Sequence, residues 1–179
     1  MLRVTAGTLR NRRIPMPKGE VRPTSERARQ AFFNIIADRI DGARFLDLFA
    51  GSGVFSFEAI SRGAASAVAI DLSRHNTAAI DRLAKELSIE VQTITADAIA
   101  GMARLRGNVF DVIYADPPYD YAHYDELLAA IDSRVGLAPE ALVAIEHRRR
   151  SDPWTIEPQR LTFSRRAEYG EVWIDFFIA

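Results

Sequence analysis

Residues 44–63 read RFLDLFAGSGVFSFEAISRG. The first six form a short apolar run that predicts a β-strand, and GVFSFEAISRG predicts a helix ending at Gly63. Between them, Gly51 and Gly53 allow the backbone to turn tightly and to approach a ligand closely. A strand that passes through a glycine loop into a helix opens an α/β sheet, in which ligands bind beyond the carboxyl ends of the strands.

The same rhythm continues outward. SAVAID, EVQTIT, FDVIYAD and ALVAIEH are apolar strands, and SRHNTAAIDRLAKEL, AIAGMARL and YAHYDELLAAIDSRV are the helices between them. Such alternation predicts a parallel sheet covered on both faces. The end, RLTFSRRAEYGEVWIDFFIA, reads as two strands around Tyr169-Gly170 with no room for a helix, so this pair must be antiparallel. Before residue 44 lie two short strands, RVTAGTL and RRIPMP, and a helix within RPTSERARQAFFNIIADRI, with Thr24 or Ser25 as its N-cap. Ala28, Ala31, Phe32, Ile35 and Ile36 form one apolar stripe on that helix. A boundary near Gly42 divides residues 1–41, a basic ribbon and helix, from an α/β body over 42–179.

Acids recur where strands end. Asp71 closes the second strand of the body, twenty residues after Gly51, where a carboxylate can accept from both hydroxyls of an adenosine ribose. That spacing suits NAD(P) and S-adenosylmethionine alike, but Ser56 stands where a dinucleotide fingerprint has its third glycine. Asp97 can accept from an adenine amino group or cap the helix that follows. Asp47 sits in the exit of the first strand and needs a partner if buried, either loop amides or a cationic end of the cofactor.

FDVIYADPPYDY, residues 110–121, ends a buried strand on an acid and then removes two consecutive backbone donors. An exocyclic base amine is a poor nucleophile because its lone pair is delocalised into the ring. Asp116, Pro117 and Pro118 offer a carboxylate and carbonyls that take amine N–H bonds, with no competing donors from the prolines. Tyr119 adds a flat face on which an extruded base can stack. These four residues are the expected catalytic loop.

Composition restricts the class further. The 179 residues contain no cysteine, so disulfides and thiolate metal sites are excluded, and the three histidines are too scattered to suggest a metal site. No apolar run approaches the roughly 20 residues of a membrane span, and the first residues lack the apolar core of a signal peptide, so a cytoplasmic protein without membrane association is expected. The net charge of −1 conceals an asymmetry: residues 1–29 carry a balance of +6 and the rest −7. A basic arm on an acidic body points to a polyanion partner, with Arg10, Arg12, Arg13 and Lys18 as the contacts.

The loop after the fourth strand resembles the [DNS]-P-P-[YFW] loop of methyltransferases that act on exocyclic amines. Three segments in order, RVTAGTLRNRRIPMPKGEVRPTSERARQAFFNII, FLDLFAGSGVFSFEAISRGA and ADPPY, resemble the RsmD family of bacterial 16S rRNA guanine-N2 methyltransferases. The resemblance implies a Rossmann-like seven-stranded methyltransferase sheet, mostly parallel with an antiparallel last strand, with S-adenosyl-L-methionine as cofactor. It implies cofactor contacts from Arg22, Thr24, Asp47, Phe49, Gly51, Gly53, Asp71, Leu72, Asp97 and Ala98. Phe49 stands where the general methyltransferase loop has its first glycine, and Gln30 stands where the family often has an acid. The implied partner is 16S rRNA or an assembled small ribosomal subunit, met by a monomer. Adenine-N6 methylation of DNA or RNA, a non-catalytic RNA-binding assembly factor and an NAD(P) dehydrogenase are the competing readings. The first shares the same loop, and the last leaves Asp-Pro-Pro-Tyr unexplained.

Overall fold

A computed structural model describes residues 2–16, 26–118, 120–149 and 154–179. The expectations at Lys18, Arg22, Thr24 and Tyr119, and the N-cap of the first helix, fall outside these residues.

The body is a single seven-stranded sheet. In chain order its elements are β3 (Arg44–Leu48), α2 (Val54–Ser61), β4 (Ser66–Asp71), α3 (Arg74–Leu87), β5 (Val91–Thr95) and α4 (Ala98–Met102). They continue with β6 (Val109–Ala115), α5 (Tyr124–Arg134), β7 (Gly136–Arg148), β8 (Thr162–Tyr169) and β9 (Val172–Ile178). The sheet order is β5-β4-β3-β6-β7-β9-β8. Strands β3 to β7 pair in parallel, and β9 inserts antiparallel between β7 and β8. The predicted antiparallel closing pair and mostly parallel sheet are both present. The chain runs outward from β3 toward β5, then returns to β6 on the other side. This reversal leaves a crevice at the carboxyl ends of β3 and β6.

Strand β7 starts five residues earlier than ALVAIEH suggests. Its register against β6 jumps from Phe110↔Leu137 to Val112↔Leu142, and Glu140 in that interval has φ 61°. The excess residues bulge out, which a reading of apolar runs alone misses.

Ahead of the body, β1 (Leu2–Arg3) and β2 (Arg13–Ile14) form a two-stranded ribbon, and α1 (Glu26–Ile35) follows. The apolar stripe holds at Ala28, Phe32 and Ile36, which are buried, but Phe33 and Arg29 are buried as well. The reason is that α1 is covered on two sides. Phe32 packs on Tyr114 and Phe55 at 4.7 and 5.8 Å and Phe33 on Phe45 at 6.2 Å, so α1 shares one core with β3, α2 and β6. Its other side meets the ribbon, where the Arg29 guanidinium donates to the Arg3 carbonyl at 2.7 Å.

The ribbon is latched to α2 through Glu58, whose side chain is wholly buried. Its carboxylate accepts from Thr5 N at 2.9 Å, Thr5 Oγ1 at 2.5 Å, Ala6 N at 3.2 Å and Arg62 Nε at 2.9 Å, and faces Arg29 Nε at 3.6 Å. Next to it, Thr8 N donates to the Ser61 carbonyl, and a Cβ on Gly7 (φ 80°) would run into that carbonyl. The ribbon is therefore packed against the body rather than flexible, and Arg29 is not available to a polyanion. Burial pulls the Arg29 guanidinium below its usual pKa, with Glu58 the first group to oppose the shift. Among the described residues no helix is long and apolar enough to cross a membrane.

Removing the acid from this latch leaves a buried guanidinium uncompensated. Glu58→Ala should lower the unfolding free energy by about 3–5 kcal/mol in urea titrations and expose residues 2–14 to protease. A loss below about 1 kcal/mol, typical of a surface pair, would contradict the latch.

Candidate active site

The loop from β3 to α2 turns on left-handed backbone at three positions, Phe49 (φ 65°), Gly51 (φ 54°) and Gly53 (φ 74°). Gly53 is needed twice over, because a Cβ there would lie 2.7 Å from Ile80 Cγ1. Phe49 adopts a conformation that suits glycine and costs an ordinary residue about 1–2 kcal/mol. Its ring packs edge-on against Tyr121 at 5.3 Å, which holds it there. The glycine found at this place in related loops is explained by the backbone angle.

Asp71 fastens this loop to the end of β4. Its Oδ2 accepts from Gly51 N at 2.7 Å, and its Oδ1 from Ser73 N at 2.8 Å and Asn76 Nδ2 at 3.1 Å. Leu72, the next residue, is 76% exposed, unusual for a side chain of its size and consistent with an apolar ligand group covering it. Asp97 caps α4 through Ile99 N and Ala100 N, the capping role that the sequence allows, with Ala98 as the first helical residue. Among the described residues Asp47 bonds no amide of the loop. Its Oδ2 accepts from Ser56 N at 3.2 Å and Ser56 Oγ at 2.7 Å, which accounts for a serine at the third-glycine place.

At the neighbouring strand end, Asp116 N donates to the Leu48 carbonyl at 3.4 Å, continuing the β3–β6 pairing, so the DPP loop leaves the sheet beside the glycine loop. Asp116 is half-buried, Pro117 buried and Pro118 exposed. The Pro118 carbonyl accepts from Tyr121 N at 2.9 Å, which closes the loop into a turn and draws Tyr121 over Phe49. Burial, with Asp97 and Glu126 nearby, pushes the Tyr121 phenol up to about 12, so it stays neutral.

Asp47, Phe49, Gly51, Gly53, Asp71, Leu72, Asp97, Ala98, Asp116, Pro117 and Pro118 thus gather at one edge of the sheet. Arg10, Arg12 and Arg13 are exposed but lie elsewhere, on the ribbon whose turn sits at the last residue of α2. Sequence reasoning gave no role to Tyr121, or to Tyr114 and Glu146, which lie beside Asp116. The Tyr114 hydroxyl donates to Glu146 Oε2 at 2.6 Å, and Glu146 is 7% exposed. A signal existed: each of β3 to β7 carries an acid within two residues of its carboxyl end, and Glu146 is the one in ALVAIEH.

The acids push on one another. Burial raises Asp47 to about 7, the Ser56 bonds restrain it, and Asp116 and Asp71 add to the rise. Burial and then Asp116 carry Glu146 to about 8 against the Tyr114 bond. Tyr114 itself is pushed well above its usual range, by burial first and Glu146 next. A site of this kind favours a cationic ligand. The residues fit S-adenosylmethionine: acids for its hydroxyls and cationic centres, exposed Leu72 for its base, and glycines for close backbone approach.

A sheet of this order, with β9 slotted antiparallel before the edge strand, is that of class I methyltransferases rather than of dinucleotide dehydrogenases. The chain belongs to the family described as "Conserved hypothetical protein 95", whose family model matches residues 2–178, in agreement with the resemblance to RsmD proteins. It is 33% identical over 150 residues to "Ribosomal RNA small subunit methyltransferase D" of Escherichia coli strain K12, covering 81% of this chain and 74% of that one. The protein with the same description from Haemophilus influenzae is 28% identical over 179 residues, covering 96% and 90%. The solved structure of "Putative methyltransferase yhhF" from Escherichia coli superposes with a TM-score of 0.88 at 29% identity, covering 99% and 97%.

Because Asp47 is protonated more readily in the folded chain than in the unfolded one, its buried charge detracts from stability as pH rises from about 4 to about 7. Asp47→Asn should therefore raise the melting temperature more at pH 8 than at pH 5, while weakening cofactor binding at pH 8. Equal effects on melting at both pH values would contradict a raised Asp47 pKa.

Proposed function

We propose that this chain methylates the exocyclic N2 amine of a guanine in 16S rRNA of the small ribosomal subunit. The observation that carries the reading is the contact of the DPP loop with the glycine loop, through Asp116 N and the Leu48 carbonyl, which brings an amine-holding group beside a nucleotide-holding one. The relatives described as small-subunit rRNA methyltransferases support the substrate class.

S-adenosylmethionine, when bound, supplies a methyl group carried on a sulfonium. Asp71 would accept from its ribose, Leu72 and Ala98 would cover its adenine, Asp97 would receive the adenine amino group, and Asp47 and the Phe49–Gly53 loop would receive its amino-acid end. Arg22 and Thr24 would add further contacts. The chain's own work falls on Asp116. Its carboxylate accepts an N–H from the target amine, returning lone-pair density to nitrogen, and takes the proton that nitrogen loses once the new N–C bond has formed. Pro117 and Pro118 contribute no N–H to compete, and Tyr119 stacks on the extruded base.

Arg10, Arg12 and Arg13 are exposed on a ribbon that has no acid between residues 2 and 16, and with Lys18 they bind phosphates. The ribbon turn lies at Ser61 and the catalytic edge at the opposite end of α2, whose eight residues span about 12 Å. RNA that touches both must run along this flank, which suits a folded RNA better than a single nucleotide.

Two outcomes test the reading. Asp116→Ala should lower turnover about 10²–10⁴-fold and leave the cofactor dissociation constant within about twofold, a change too small for a lost charged hydrogen bond. Parallel loss of both would make Asp116 a cofactor or folding residue. Replacing Arg10, Arg12 and Arg13 with Ala should reduce the slope of log K against log salt by about 2, and an unchanged slope would remove the ribbon from the interface.

A further inference from the structure

Glu146 is an expensive residue to keep. Its side chain is more than nine-tenths buried, and among the described residues it has no Lys or Arg partner. Its one hydrogen bond is from Tyr114, to Oε2. Oε1 accepts no bond from a described residue. An apolar side chain would be more stable in this place, which makes a purely structural role a poor explanation.

Position explains more. Ala115 pairs with Ile145 in the parallel β6–β7 ladder, so Asp116 and Glu146 are the next residues on neighbouring strands, about 4.8 Å apart in the ladder direction. With side chains alternating along each strand, Asp116 and Glu146 lie on the same side as Tyr114 and Ala144. An amine held at Asp116 therefore has Glu146 Oε1 beside it.

On the edge of guanine, the N2 amine adjoins N1–H, a second donor. In adenine, N1 is an unprotonated acceptor. We propose that Glu146 selects guanine, its Oε1 accepting the N1–H of the base whose N2 amine Asp116 holds, while Tyr114 fixes the carboxylate through Oε2. This assignment rests on the guanine-N2 reading above. It adds what the catalytic loop lacks, because Asp-Pro-Pro-Tyr takes the amine of either purine. A donor such as N1–H at Oε1 favours the ionised carboxylate that burial disfavours. Against that carboxylate, a base with an acceptor at N1 would set one lone pair against another and leave Oε1 unpaired, the situation that gives sites built around a hydrogen bond their strongest discrimination.

The test uses 2-aminopurine, which keeps the N2 amine but carries an acceptor at N1. The guanosine methylated by the wild type is located, then replaced by 2-aminopurine in otherwise identical 16S rRNA. The wild type should methylate guanosine at least about 10-fold faster in kcat/KM, the lower end expected for one lost base-edge hydrogen bond. Glu146→Gln, whose amide can accept from N1–H or donate to N1, should bring the two rates within about threefold, well inside that single-bond effect. Its melting temperature should be no lower than that of the wild type, and its cofactor dissociation constant should match. Equal wild-type rates on the two bases would overturn the assignment whatever the variant does. Unchanged discrimination in Glu146→Gln would also overturn it, as would loss of both activities with cofactor binding intact. Absence of any N2-methylguanosine from the wild type is a different result and would remove the guanine-N2 reading itself.

Discussion

Acids of like charge crowd the carboxyl ends of five adjacent parallel strands, and the protein keeps them there by giving them different partners. Asp47 is held by Ser56, Asp71 by Gly51, Ser73 and Asn76, Asp97 by the first turn of α4, and Glu146 by Tyr114. These bonds do not cancel the cost of burial, to which the neighbouring acids add, as the raised pKa values of Asp47 and Glu146 show. What remains is a negative crevice at the point where the sheet reverses its winding. A cationic cofactor would offset that charge, and Asp71 at the same edge gives the glycine loop its shape. Stability is given up at this edge and recovered elsewhere, as is common where pKa values are strongly displaced.

Part of the recovery lies on the face of the sheet that Tyr114 shares with Asp116 and Glu146. Phe55 stacks on Tyr114 at 3.9 Å, and Phe32 of α1 closes over both. The N-terminal residues are thereby committed to the core beneath the site. The ribbon is held by Glu58 from the helix that follows the glycine loop, so α2 joins that loop to the ribbon carrying Arg10, Arg12 and Arg13. A second charged cluster fixes the opposite edge. Asp175 accepts from Arg166, His147 and Trp154 and, although burial alone would raise its pKa, these bonds hold it well below the usual carboxylate range. It ties β8 to β9 and β7, and so supports the strand that carries Glu146.

The alternation of strands and helices was legible because each apolar run has the length and period of its element, and RLTFSRRAEYGEVWIDFFIA could only be a hairpin. The insertion of β9 between β7 and β8 was not, since nothing in a hairpin's sequence says which strand meets the sheet. Within the site, Gly53, Asp71 and the DPP loop stood out as residue types with few other uses. Ser56 did not, because a serine in a helix is ordinary until the acid beneath it is known. The burial of Arg29 and Phe33 was not legible for a related reason. A helix covered on two sides does not reveal its second face in a single apolar stripe. Glu146 was hidden in an apolar strand, where only the recurrence of acids at other strand ends could have revealed it.

The most direct test is to locate the transferred methyl group. Purified protein, labelled S-adenosylmethionine and small ribosomal subunits from cells lacking this activity would be incubated, and the rRNA digested to nucleosides for mass spectrometry. The account predicts label in N2-methylguanosine at a single position of 16S rRNA. Label in N6-methyladenosine, or none where cofactor binding is demonstrated, would contradict it.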